Sequence, residues 1–252
     1  MRASGLVLAG LITLTSAALI YHRAQPSVKT QMVQYQSGDE TVTGYMAFPE
    51  GKGPFPAIIL IHEWWGLNDW IKENAKKFAD KGYIALAIDL YRGQVATDQD
   101  AAHELMRGLP EDRATRDLQA AVAYLVSRNE VKHDKIGSIG WGMGGDYSLQ
   151  AALNVPELAA CVINYGRLVT DVEMIDKINC PILGIFGAKG PVKDVEAFKA
   201  ACHKADKDVT IQVYSNSGHA FINENIAKSY NAKDAKNAWE KTFAFFERKL
   251  KK

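Results

Sequence analysis

Between Pro54 and His62 the chain reads Pro-Phe-Pro-Ala-Ile-Ile-Leu-Ile-His, apolar at nearly every position rather than at alternate ones. That pattern belongs to a strand covered on both faces of a sheet. Further apolar runs follow at Tyr83–Leu90, Lys135–Gly140, Leu158–Tyr165, Ile182–Gly187 and Val209–Tyr214. The stretches between them carry apolar side chains at helical spacing. Asn68 to Lys81, with Trp70, Ile71, Phe78 and Ala79 on one side, stops at Gly82; Asp98–Leu109, Glu111–Asn129, Asp146–Asn154, Val195–Ala205 and Ala235–Leu250 are the other predicted helices. Ahead of them, Met32–Gln36 and Thr41–Phe48 flank Ser37-Gly38-Asp39 and predict a hairpin. Strand-helix alternation of this kind requires a parallel sheet with helices on both faces. The expected fold class is therefore α/β, with a mostly parallel sheet of eight strands. A length of 252 residues suits one such domain.

Residues 3–22 carry no formal charge and lie between Arg2 and Arg23. Twenty helical residues would rise about 30 Å, the thickness of a hydrocarbon core. We read 1–23 as a signal peptide or N-terminal membrane anchor, 24–30 as a linker and 31–252 as the folded domain, which places the protein as exported (periplasmic or secreted) or membrane-anchored. Apart from that segment, nothing suggests contact with a membrane. The 30 basic and 29 acidic residues are interspersed, so there is no clustered basic face for nucleic acid. Cys161, Cys180 and Cys202 are widely spaced, without a Cys-x-x-Cys pair; they read as small buried hydrophobes, and neither metal nor cofactor is expected.

Ligands of open parallel sheets bind beyond the carboxyl ends of the strands. Four of those ends are unusual: His62-Glu-Trp-Trp-Gly66, Gly140-Trp-Gly-Met-Gly-Gly145, Phe186-Gly-Ala-Lys-Gly190 and Ser217-Gly-His-Ala-Phe221. The second is a strand-to-helix turn with glycines on either side of one central residue, the steric signature of a nucleophile elbow. The elbow, the loop after Ile182–Gly187 and His219 after the last strand supply, in chain order, the three positions of an α/β-hydrolase triad.

Together with Asp89-Leu-Tyr-Arg-Gly93, Tyr165-Gly-Arg-Leu-Val-Thr170 and Pro181-Ile-Leu-Gly-Ile-Phe-Gly187, these motifs resemble the dienelactone hydrolase family over about residues 40 to 250. The resemblance implies the α/β-hydrolase fold and ester or lactone hydrolysis by a cysteine, a histidine and an aspartate, with a glutamate contacting the thiol. Carried over, His219 matches the histidine and Glu63 the glutamate. Gly142 stands where the cysteine belongs and Gly190 where the aspartate belongs. Backbone N–H groups of Trp64 and Met143 would form the oxyanion hole, with Arg92, Trp141 and Tyr165 contacting substrate. A second family arginine is absent, its place taken by Asn223.

A glycine has no atom that attacks a carbonyl. Loss of triad members leaves roughly 10³ to 10⁴ over water from binding and the oxyanion hole. Ser138, Ser148 and Cys161 are poorly placed to substitute. Asp194 could replace the missing acid but more naturally caps the helix from Val195, and Asp146 fits the first turn of the elbow helix. Three readings follow: a catalytically degenerate member binding a small ester, lactone, carbonyl or carboxylate ligand; a weak hydrolase using a His219-activated water with Glu63; or a partner-binding module using the same mouth.

Overall fold

The structure, a computed structural model, describes residues 28–190 and 195–252. The leader and Asp194 lie outside them. Eight strands form one sheet: β1 (Lys29–Ser37), β2 (Glu40–Phe48), β3 (Phe55–Ile61), β4 (Ile84–Ile88), β5 (Val131–Trp141), β6 (Leu158–Asn164), β7 (Ile182–Gly187) and β8 (Val209–Tyr214). Their order is β1-β2-β4-β3-β5-β6-β7-β8. β2 runs antiparallel to β1 and β4, and every other pairing is parallel. The first strand takes in Lys29 and Thr30, two residues that the sequence assigns to the linker over 24–30.

Among the described residues there are seven α-helices: α1 (Asp69–Asp80), α2 (Gln99–Arg107), α3 (Glu111–Val126), α4 (Met143–Asn154), α5 (Val172–Asp176), α6 (Val195–Lys204) and, after the last strand, α7 (Ala232–Phe246), which runs into a π turn at Glu247–Lys251. Side-chain caps fix several starts. Asn68 accepts from the Ile71 N–H, Asp98 from the Ala101 N–H and Asn231 from the Asp234 N–H, each satisfying a donor that the first turn leaves over. Gly82, at φ 83°, takes the left-handed turn that follows α1.

Strands β4 and β7 are buried at every residue, and β5 from Ile136 onward, and two apolar clusters lie on the two faces of the sheet. One gathers α3, α4, α5 and α6 through residues such as Leu118, Leu149, Ile175 and Phe198. The other gathers α1 and α7 around Trp70, Phe78, Trp141 and Phe246. All three cysteines are free and buried among these residues.

Beside β1, strand β5 and helix α7 also start earlier than expected, at Val131 and Ala232, and two further differences concern α4 and α5. Helix α4 begins at Met143, before the polar cue Asp146; its first turn contains Gly144 and Gly145, whose low helix propensity hides that start in the sequence. Helix α5, capped by Asp171, is too short to show a periodic pattern.

Candidate active site

β3 lies between β4 and β5, so the chain leaves it on one side and returns on the other. Such a reversal opens a crevice at the strands' carboxyl ends. Helix α4 closes on that crevice at backbone contact. A Cβ on Gly140 would lie 1.8 Å from the Gly144 carbonyl oxygen, and one on Gly144 2.1 Å from that of Ile61. Only glycine fits at either position.

Gly142 caps this bend with φ 54° and ψ −119°. Its N–H donates to the Asn164 carbonyl at 3.0 Å, and its own carbonyl accepts from Gly145 and Asp146 at 2.8 and 3.1 Å. A Cβ built here would point at the imidazole of His219, 3.5 Å from Nε2 and 3.8 Å from Cε1. That is ordinary van der Waals contact. The bend therefore has room for a side chain directly before a base, and the sequence places none there.

His219 sits on the loop after β8 with its ring edge against Tyr165, the centroids 5.0 Å apart. Partial burial lowers its pKa below the usual imidazole value, and Asp146 opposes the shift. The ring is thus neutral at pH 7, the form able to accept a proton. Among the described residues no hydrogen bond or ion pair reaches it.

Glu63 follows β3 and is 4% exposed. Asn223 Nδ2 donates to its Oε2 at 2.5 Å, and the Tyr165 hydroxyl stands 3.5 Å from Oε1. Burial pushes the carboxyl up to about 7, against these two donors. The orientation of Asn223 is not arbitrary: its Oδ1 accepts from the Asn225 N–H at 3.0 Å, which leaves the amide NH₂ for Glu63. The neighbouring His62 is fully buried. Its Nε2 accepts from the Leu90 N–H at 3.2 Å and its Nδ1 donates to the Glu63 carbonyl at 2.6 Å. Both ring nitrogens are spent holding the ends of β3 and β4 together.

The remaining expected residues divide. The backbone N–H groups of Trp64 and Met143 donate to no described residue, leaving both available. Tyr165, at φ 41°, bridges His219 and Glu63. Gly190 lies beside His219, where a Cβ would meet the His219 nitrogen at 3.0 Å.

Trp141 and Arg92 are not brought to the mouth. Trp141 is 1% exposed and packs edge-on against Trp70, 5.2 Å between centroids, inside the α1/α7 cluster. Strand alternation sends it to the face opposite α4. Arg92 bonds Asp117 with both Nη atoms, at 2.7 and 3.1 Å, and Glu40 at 2.5 Å. Its guanidinium is committed to α3 and β2 rather than to a ligand. Asp146 lies in the first turn of α4, as expected, and accepts from the Arg167 N–H and Nε at 2.5 and 2.7 Å.

Asn223 figures in the sequence only as the residue in place of a family arginine, and His62 only as part of its motif. Nothing local to Asn223 names Glu63 as its partner, because the contact spans 160 positions.

A sheet of this order, a glycine-lined strand-to-helix bend and a histidine after the last strand together define an α/β-hydrolase fold. The dienelactone hydrolase family model matches residues 42–250, and the chain belongs to that family. It is 35% identical over 231 residues to a candidate carboxymethylenebutenolidase of Aquifex aeolicus, covering 88% of this chain and 99% of the relative. Among solved structures, a candidate dienelactone hydrolase of Klebsiella pneumoniae is 28% identical with a TM-score of 0.80, covering 87% of this chain and 98% of the other. A dienelactone-hydrolase-like promiscuous phosphotriesterase from metagenomic libraries is 25% identical with a TM-score of 0.82, covering 88% and 99%.

Proposed function

We propose that this chain is a catalytically degenerate dienelactone hydrolase family protein, binding a small carbonyl or carboxylate ligand at the elbow without forming an acyl-enzyme. The observation that carries this reading is the 3.5 Å between the His219 Nε2 and the place where a Gly142 side chain would begin. The base is aimed at an attacker that the sequence omits, and a covalent route through position 142 has no atom to use. Gly190 adds to it, since no carboxylate stands at that position to orient His219.

The ligand reading draws on the unspent N–H groups of Trp64 and Met143 beside the N-terminus of α4. Donors of this kind hold a carbonyl or carboxylate oxygen whether or not a nucleophile is present.

A second reading, water-based hydrolysis of an ester or lactone, is favoured by one observation. Glu63 has a carboxyl held near neutrality, and His219 is a neutral imidazole nearby, the two protonation states that acid-base catalysis at pH 7 needs.

A panel of short aryl esters and lactones separates the two. Under the first reading the wild type hydrolyses none of them faster than His219→Ala; a rate at least tenfold above that variant establishes the second. The double variant Gly142→Cys, Gly190→Asp should gain esterase activity. The aspartate must displace the His219 backbone by a few tenths of an ångström, because its Cβ starts 3.0 Å from that nitrogen. A folded double variant without activity would remove the claim that the rest of the mouth is intact.

A further inference from the structure

Glu63 meets an uncharged donor at each of its oxygens. Asn223 Nδ2 bonds Oε2 at 2.5 Å and the Tyr165 hydroxyl faces Oε1 at 3.5 Å. Asn223 is itself 2% exposed, and the Asn225 N–H on its Oδ1 fixes which way the amide points. A buried carboxyl with only neutral partners is favoured as the uncharged acid, because nothing offsets the loss of water around its anion.

The cations of the surrounding elements are engaged elsewhere. After β4, Arg92 is bound by Asp117 and Glu40. On α1, Lys77 lies 3.7 Å from Glu224 and over the ring of Trp239. In the loop after β6, Arg167 is paired with Asp146 of α4 at 2.7 Å. Lys189, after β7, is exposed. The charged groups that do act on the mouth are all acidic: Asp146 on His219, and Glu63 and Glu224 on Tyr165. None acts on Glu63. An anion entering here would give up its water without meeting a cation. A carbonyl oxygen meets no such cost, since the N–H groups of Trp64 and Met143 can hold it.

We propose that Asn223 sets the charge preference of the mouth: by bonding Glu63 through a neutral amide it makes the site one for an uncharged carbonyl compound and turns carboxylates away. The inference rests on the ligand reading above and narrows it to uncharged ligands. A basic side chain at position 223 would hold Glu63 as an anion and supply the positive charge that an acidic ligand needs. With asparagine there, two like charges would have to share one small site. An anionic ligand therefore binds only as Glu63 takes up a proton, and its affinity falls as pH rises.

The test titrates the full chain with benzamide and with sodium benzoate, two probes alike in shape and different in charge, and follows the His219 ring signals by NMR. At pH 8 benzamide should bind roughly tenfold more tightly than benzoate. Between pH 7 and pH 8.5 benzoate should weaken by roughly tenfold while benzamide stays level. Asn223→Arg should reverse the preference. Glu63→Gln, nearly isosteric, decides the matter even where arginine fails to fold at this buried position, and it should abolish the pH dependence of benzoate. Benzoate bound as tightly as benzamide at pH 8, a folded arginine variant with the wild-type preference, or a pH dependence that persists in Glu63→Gln would each overturn the assignment to Asn223 and leave the ligand reading standing. If neither probe moves the His219 signals, the ligand site falls and the inference with it, whereas ester turnover by the wild type would refute only the degenerate reading.

Discussion

Tyr165 and Gly142 face the same histidine and both carry positive φ, yet only one of them is glycine. Tyr165 keeps its strained backbone because its ring and hydroxyl hold His219 and Glu63 in place, whereas Gly142 has no side chain to justify strain. A residue with a Cβ at position 142 meets no clash, so the cost of Gly142→Cys is conformational, about 1 to 3 kcal/mol. Urea unfolding of the two proteins measures it, and a cysteine variant as stable as the wild type would contradict the idea that glycine relieves strain here. Glu63 yields a pH prediction. Its folded pKa of about 7 lies above the ordinary 4.5, so between those values the native state holds a proton that the unfolded chain has released. Stability from this group is complete below pH 4.5 and declines as pH rises toward 7. Glu63→Gln should remove that decline, gaining up to about 3 kcal/mol on the wild type between pH 5 and pH 8. His62 and His219, both lowered from 6.5, act in the opposite sense and cost stability as pH falls below that value. Melting temperatures of Glu63→Gln and wild type across the range separate the two slopes.

At the scale of the element, α4 shows why the bend was legible before any coordinate. Gly140 and Gly144 are required by carbonyl oxygens 1.8 and 2.1 Å from their would-be Cβ atoms, and a glycine spacing set by such contacts is visible in the sequence. Gly144→Ala should therefore be far worse than Gly142→Cys, costing more than about 4 kcal/mol or preventing folding, as soluble expression and thermal melting would report. The helix start itself was hidden by the same glycines. Strand β5 illustrates the converse limit. Its apolar residues announced a strand, but which face Trp141 occupies depends on the register with β3 and β6, and that register put the indole in the α1 and α7 cluster. Arg92 was equally illegible: its partner Asp117 sits a helix away on α3 and is fully buried. Asp117→Ala should strip Arg92 and Ser37 of their buried acceptor and destabilise the domain by about 3 kcal/mol, leaving the His219 NMR signals unchanged if that network is structural only.

Across the whole molecule, the alternation of buried strands and amphipathic helices specified an α/β sheet, and glycine spacing with the motif order placed the bend, the histidine and the family. These features are local: periodicity, backbone permissiveness and chain order are properties of neighbouring residues. Strand order, which helices share which face, and the bond of Asn223 to Glu63 came only with the tertiary structure. Their separations run to 160 residues for Asn223 and Glu63, and no local pattern encodes a contact of that span. Burial is equally collective. A glutamate in the sequence is an ordinary acid, and it becomes one that titrates near neutrality only when the ends of β3 and β6 and the loop after β8 exclude water around it.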